Sequence, residues 1–310
     1  MNASFAKALS AAQEACADQD YPPSVLYVVA TPIGNLADIS LRALHVLGLA
    51  DCVACEDTRH TQTLLRAYGI DKAPQQLLAL HQHNEAEAAV SVVQRLQGGQ
   101  RVAYVSYAGT PGISDPGARL VAAVQQAGLR ASPLPGASSI TTALSVSGIS
   151  ATDFVFAGFA PAKAQEREAQ VVLWQQQARA VVMLEAPHRI DALAKSLAAL
   201  GQRPVTVARE LSKRFEEIAT LAAQDFPAWL AANAQRQRGE FVVVLHPQAT
   251  HVDAQDESLR VLQLLLAELP LKTAVGLTAT VTGANRNALY SAALAWKAAQ
   301  PASNAAVDPP

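Results

Sequence analysis

From Val25 onward the chain alternates short apolar, β-branched runs with longer stretches of helical period. VLYVVA precedes a helical pattern over 38–49, CVAC one over 60–68, LLAL one over 84–97, and RVAYVS one over 117–127. Continuous apolar strands separated by helices predict a mostly parallel sheet covered on both faces. Asn84 followed by Glu87 is a capping pattern, and Gly69, Gly98 and Gly128 stand where helices should stop.

The pattern restarts near Leu134-Pro-Gly-Ala-Ser-Ser, with a helix to about 147 and apolar segments at 154–158, 180–185, 204–209 and 240–246. The fold class this predicts is α/β, as two α/β domains with a ligand cleft between them, plus a small C-terminal helical tail. The boundaries read as a loose N-terminus over 1–23, a first domain over 24–134, a second over 135–248, helices within 258–299 and a loose end over 300–310. The polar stretch 248–257 separates the second domain from helical patterns near 258–268, 271–282 and 285–298.

Composition narrows the function classes. Of 310 residues, 50% are hydrophobic, enough for two sizeable cores, and the formal net charge of −2 offers no global attraction to a polyanion. Any nucleic-acid contact must therefore use local basic surface. No apolar segment resembles a signal peptide or the roughly 18 uncharged residues of a membrane span, so a cytoplasmic protein is expected. The three cysteines argue against a disulfide framework. Cys52 and Cys55 have metal-pair spacing, but three apart on a strand they face opposite ways and no second pair follows, so both read as core residues and no metal is expected.

Three segments carry candidate binding chemistry. Thr31-Pro32-Ile33-Gly34-Asn35-Leu36 follows the first strand. Ser106-Tyr107-Ala108-Gly109-Thr110-Pro111-Gly112, continuing into Ser114-Asp115-Pro116-Gly117, follows the fourth apolar run. Pro135-Gly136-Ala137-Ser138-Ser139 lies at the domain junction. Ligands in such sheets sit beyond the carboxyl ends of strands, and small residues let them approach the backbone. Neither GxGxxG nor GxxxxGK[ST] occurs, so the dinucleotide and triphosphate fingerprints are absent.

Two polar clusters end other strands: Glu56, Asp57, Arg59 and His60, and then His81, His83, Asn84 and Glu85. Glu56, Asp57 or His83 is placed to accept a proton; Asp57 and Asn84 are equally suited to cap helices, and Glu56 with Arg59 to form a solvated pair. Residues 160–215 hold nine Lys or Arg against five Asp or Glu. Lys163, Arg167, His188, Arg189, Arg209, Lys213 and Arg214 there, with Lys272 and Arg286 of the tail, are candidates for phosphate contact. The tail residues fit a dimer contact as well.

In order along the chain, TPIGNLADISLRAL, CEDTRHT, HQHNE, AGTPGISDPG, LPGASS, GFAPAK, EAPHRI, ARELSKRFEEI and RGEFVVV resemble the ribosomal RNA small-subunit methyltransferase I family, a branch of the tetrapyrrole methylases. LPLKTAVGL and NRNALY extend the resemblance into the tail. It implies an S-adenosylmethionine donor between two α/β domains and a homodimer. The reaction it implies is methylation of a cytidine ribose 2′-hydroxyl in small-subunit ribosomal RNA near the decoding site.

By carry-over the donor would meet Pro32 and Gly34, Tyr107, Ala108, Gly109 and Thr110, Gly136, Ala137, Ser138 and Ser139, and Glu185 with Ala186. Glu56, Asp57, Arg59 and His83 would serve catalysis. Lys163, Arg167, Arg189, Arg209, Lys213, Lys272 and Arg286 would meet RNA or the small ribosomal subunit. The chain departs from the family at Tyr107, where the family pattern has Asp. A tyrosine there fills the donor space, swings outward or stacks on the adenine. The competing readings are a tetrapyrrole C-methyltransferase and an RNA-binding homologue whose catalysis Tyr107 has impaired.

Overall fold

A computed structural model of the chain describes residues 5–150, 153–248 and 254–299. Residues 6–247 contain two five-stranded sheets, and residues 254–299 form a separate helical unit.

The first sheet is wholly parallel. Its strands are β1 (Val25–Val29), β2 (Cys52–Cys55), β3 (Leu77–Ala79), β4 (Val102–Val105) and β5 (Arg130–Leu134), arranged β3-β2-β4-β1-β5. Helices α1 (Ala6–Ala15), α2 (Leu41–Leu49), α3 (Thr58–Ala67), α4 (Glu85–Gln97) and α5 (Ala118–Gln126) cover it. Alternation along the strands decides the packing. Val25, Tyr27, Val29, Val53, Cys55, Ala103 and Val105 join one apolar cluster with α1, α2 and α3. Leu26, Cys52, Ala54, Val102 and Tyr104 join another with α4 and α5. A one-residue slip would exchange these sets, and each buried aliphatic side chain contributes about 1.5 to 3 kcal/mol. Cys52 and Cys55 are thus fully buried on opposite faces, and burial pushes the Cys55 thiol up to about 11.

Two expectations change, and one strand was not foreseen. The N-terminal stretch is not loose throughout: α1 packs on α2 and buries Ala12 and Cys16, two small residues at helical spacing. Asn84 does not cap α4 through its side chain, which instead accepts from the His81 N–H and donates to the Ala79 carbonyl. The edge strand β5 lacks an apolar run, and its Pro133 is tolerated because only one side of the strand is paired. The ends 1–4 and 300–310 lie outside the described residues.

In the second sheet, β6 (Phe154–Phe159) and β7 (Ala180–Glu185) are parallel. The strands β8 (Pro204–Arg209), β9 (Glu217–Ala222) and β10 (Phe241–Leu245) complete the order β6-β7-β10-β8-β9. β10 runs antiparallel to both β7 and β8, and β9 forms an antiparallel edge. Helices α7 (Ala164–Gln175), α8 (Ile190–Leu197) and α9 (Phe226–Ala231) cover one face. The other packs Val182, Ala208, Val242 and Val244 against α6 (Ser139–Ser145) and Ile33, bringing the end of β1 to this sheet.

The tail comprises α10 (Ala254–Glu268), α11 (Leu271–Thr282) and α12 (Arg286–Ala299), closed around Leu262, Val275, Leu289 and Ala293. Gly283 ends α11 in the left-handed conformation at φ +70, and Asn285 caps α12 through the Asn287 and Ala288 N–H groups. Among the described residues, no helix is long and apolar enough to cross a membrane.

Candidate functional site

The three segments singled out by their small residues converge. Thr31 and Gly109 exchange backbone hydrogen bonds at 2.9 and 3.0 Å, joining the loops after β1 and β4. The Thr110 hydroxyl donates to the Ala137 carbonyl at 3.0 Å, tying in the turn before α6. Two glycines permit this. Gly109 sits at φ +79, and a Cβ on Gly136 would stand 2.8 Å from that of Ala30.

A cavity of about 400 Å³ opens beside this junction. Ala108, Gly109 and Thr110 line one side, Ser138, Ser139 and Ile140 another, and Leu184, Glu185, Ala186, Ala208 and Val242 bring in the second sheet. Its walls are mainly apolar, with a few convergent polar groups, as in a small-molecule site. Eight expected donor contacts therefore line it: Tyr107, Ala108, Gly109, Thr110, Ser138, Ser139, Glu185 and Ala186. Pro32, Gly34, Gly136 and Ala137 do not; Pro32 is buried, and Gly136 and Ala137 shape the junction behind the wall.

Glu185 is a buried carboxylate in the cavity wall. It is 3% exposed, and its Oε1 accepts from the Ala186 N–H at 2.9 Å and meets Arg189 Nε at 3.1 Å. Its Oε2 is buried without a partner. Burial raises its pKa, while the Ala186 N–H and Arg189 oppose that rise. A ligand donor at Oε2 would remove the cost of an unsatisfied buried oxygen.

Across the cavity, the loop after β8 reaches to the first sheet's side. Lys213 bonds Glu210 and Glu240, both at 2.8 Å, and its stem lies where a Cβ on Gly34 would be 2.3 Å from Lys213 Cγ. The Ser212 hydroxyl hydrogen-bonds Asp38. Glu210 and Ser212 hold φ +52 and +68, a rare backbone for residues with a Cβ.

Tyr107 has swung outward. It is 54% exposed at the rim, its ring is stacked on His60, and its N–H donates to Glu56 Oε1 at 3.2 Å. The ring therefore leaves the cavity open.

None of the four expected catalytic residues lines the cavity. Asp57 caps α3, its Oδ1 accepting from the Arg59 and His60 N–H groups at 2.8 and 3.0 Å, which lowers its pKa. Glu56 holds the Tyr107 backbone, and its pKa is raised by burial. Arg59 is exposed on α3, and His83 is exposed beside Gln82 and His81. Glu85 is buried and accepts from the Gly117 and Arg119 N–H groups at 2.9 and 3.0 Å. Among the described residues, no group of three or more His, Cys, Asp or Glu gathers as a metal site.

The basic candidates divide. Arg167 is buried, bonding Ser196 Oγ and the Pro161 and Ala162 carbonyls, and Arg209 is buried against the Arg238 and Phe215 carbonyls and Glu217. Both are thereby corrected from phosphate contacts to structural cations. Arg189 is committed to Glu185 and the Ala160 carbonyl, and Lys213 to its two glutamates. Lys163, Arg214, Lys272 and Arg286 remain exposed, with Lys163 paired to Glu166.

Asp115, Phe159 and Glu240, to which the sequence assigns no role, also line the cavity. For Asp115, its place after a strand-end loop was the available signal.

A family profile described as Tetrapyrrole (Corrin/Porphyrin) Methylases matches residues 25–227, and one described as RsmI C-terminal HTH domain matches 252–297. Ribosomal RNA small subunit methyltransferase I of Neisseria meningitidis serogroup A is 45% identical over 275 residues, covering 88% of this chain and 94% of that protein. The protein of the same name from Pseudomonas aeruginosa is 46% identical over 277 residues, covering 87% and 96%. The solved cobalt precorrin-4 methyltransferase CbiF superposes with a TM-score of 0.53 at 16% identity, covering 72% of this chain and 95% of that one. Uroporphyrin-III-C-methyltransferase from Thermus thermophilus gives 0.51 at 18%, covering 72% and 94%. At those identities the two structures speak to the fold alone. With matched profiles over both units and relatives near 45% identity along most of its length, the chain belongs to the ribosomal RNA small subunit methyltransferase I family, on a tetrapyrrole-methylase fold.

Proposed function

We propose that this protein transfers a methyl group from S-adenosylmethionine to the 2′-oxygen of a cytidine ribose in small-subunit ribosomal RNA, near the decoding centre. The relatives' names support the RNA substrate. The observation that carries the donor is the cavity itself, with its unpartnered Glu185 Oε2 beside small-residue loops at strand ends. Those residues fit the group. Glu185 Oε2 would take an N–H or O–H of the donor, Ala108, Gly109 and Thr110 leave room against the backbone, and Ile140, Leu184 and Val242 offer apolar walls for a flat base.

Bound there, the donor supplies an electrophilic methyl carbon on a positively charged sulfur. The chain's own work is chiefly positioning, which can supply ~7 to 11 kcal/mol when a nucleophile is held in line with its target. The Thr31–Gly109 bridge and the Thr110–Ala137 bond hold the cavity wall rigid, and the Lys213 loop closes over its edge. Exposed Lys163, Arg214, Lys272 and Arg286 are available to RNA phosphates. The outward Tyr107 supports an active enzyme over an impaired homologue, because its ring leaves the donor space free. The reading includes a cytoplasmic homodimer.

Purified protein incubated with labelled S-adenosylmethionine and small ribosomal subunits lacking the modification tests it. Label mapped to a cytidine 2′-oxygen is expected. Absence of label, with no donor binding by calorimetry, would withdraw the catalytic reading, and sedimentation as a monomer would withdraw the dimer.

A further inference from the structure

We infer, resting on the ribose-methylation reading, that the Tyr107 ring, backed by His60, is the platform on which the base of the methylated nucleotide stacks.

A ribose hydroxyl reaches the cavity only with its nucleotide. The base is carried on the sugar carbon next to the one bearing the 2′-oxygen, so when that oxygen enters the cavity the base must lie at its mouth. A base there has left its neighbours in the RNA stack and needs a surface that replaces them. Aromatic side chains supply one, because every base has a π-face.

Tyr107 has the position, the open face and the rigidity for this contact. It begins the run Tyr107, Ala108, Gly109 and Thr110 that lines the cavity, and its ring turns to the rim, 54% exposed. His60 covers one face of the ring at 4.1 Å, which leaves the opposite face to a ligand. Glu56 holds the Tyr107 N–H at 3.2 Å, and the exchange between Gly109 and Thr31 pins the loop just beyond it. Little side-chain freedom is then left to lose when a base arrives.

The surroundings suit the same partner. Phe159 and Ile113, both exposed and both lining the cavity, keep the mouth apolar, and Arg59, exposed in the same turn of α3 as His60, suits an anionic backbone. The donor's own adenine has buried apolar walls at Ile140 and Val242, so the ring at the rim is left for the substrate. The family pattern has Asp where Tyr107 stands, which makes the platform a contact of this chain's own.

Steady-state methyl transfer to small ribosomal subunits lacking the modification tests this, with donor calorimetry and ultraviolet cross-linking of the protein to those subunits alongside. Tyr107→Ala is expected to raise KM for subunits by about five- to a hundredfold, with a much smaller change in kcat. Its donor affinity should match that of the wild type. Tyr107→Phe and Tyr107→Trp keep a π-face and should recover the lower KM. His60→Ala should give a smaller rise in KM that vanishes in the Tyr107→Ala background, since His60 acts through the ring. Irradiation should join Tyr107 to the base of the nucleotide that receives the methyl group. An unchanged KM in Tyr107→Ala overturns the assignment. So does weakened donor binding in Tyr107→Ala, which would make the ring a donor contact, and so does a KM in Tyr107→Phe as high as in Tyr107→Ala, which would make the hydroxyl the contact. Should Tyr107→Ala not fold, Tyr107→Leu is read by the same criteria. A wild type that labels no RNA instead overturns the ribose-methylation reading, so the two failures are distinct.

Discussion

Tyr107 lies parallel to His60, with ring centroids 4.1 Å apart and planes within 18°. The stack joins the loop after β4 to the first turn of α3 and turns the tyrosine ring away from the cavity. Offset aromatic pairs contribute about 0.5 to 1.5 kcal/mol beyond their area, and this pair, an exposed tyrosine on a half-buried histidine, belongs near the lower figure. A double-mutant cycle with Tyr107→Ala and His60→Ala, read by urea unfolding, should give a coupling near 0.5 kcal/mol. Strict additivity of the two substitutions would show that the rings do not hold each other.

Glu85 acts across the fold, from the start of α4 to the start of α5, where it takes two N–H groups in place of a side-chain cap on that helix. Glu85→Ala leaves those donors without a partner and should cost about 2 to 4 kcal/mol. Because the same N–H groups anchor the loop carrying Asp115, methyl transfer should fall even in protein that remains folded. Unchanged unfolding midpoint and unchanged transfer would contradict this account.

Buried and exposed arginines should separate cleanly. Arg209→Met removes bonds to two carbonyls and a partly exposed glutamate and should destabilise the fold by about 1 to 3 kcal/mol. Arg214→Ala should leave the thermal midpoint unchanged but weaken RNA retention, lowering its salt slope by about 1. Equal RNA loss from both, in folded protein, would return Arg209 to the RNA surface.

Two histidines predict an acid-side loss of stability. His246 is hydrogen-bonded to Thr206 at 2.7 Å, and burial and then the Arg203 charge depress its pKa; burial alone depresses that of His45. Above the ordinary value of 6.5 both histidines are neutral, folded or unfolded, and contribute no slope. As pH falls below 6.5 the unfolded chain takes protons first, so stability is lost until the depressed folded values are reached. Urea midpoints should fall as pH is lowered below 6.5, with a shallower fall in His246→Gln. Parallel pH dependences would exclude His246 as a source.

The parallel sheet was legible because its strands are buried on both faces and therefore read as apolar runs, as in VLYVVA and RVAYVS. β5 and β9 were not, since an edge strand need not be apolar: RASPL carries Pro133, and Glu217–Ala222 is only partly buried. Within the site, small residues after β1 and β4 and before α6 announced where backbones approach closely, and the Thr31–Gly109 and Thr110–Ala137 contacts bring them together.

Charged residues were another matter. Asp57 and Asp115 both follow apolar strands, yet one caps a helix in solvent and the other faces the cavity. Arg209 and Arg214 share a motif, yet one is buried under carbonyls and the other exposed. Apolar periodicity by itself determined the parallel layering and the positions of the close backbone turns, because burial imposes a repeat that local sequence must carry. Only tertiary structure decided which polar side chains reach a ligand, because the partner that claims or spares each one lies far along the chain: Glu85 for the Asp115 loop, the Arg238 carbonyl for Arg209, and His60 for Tyr107.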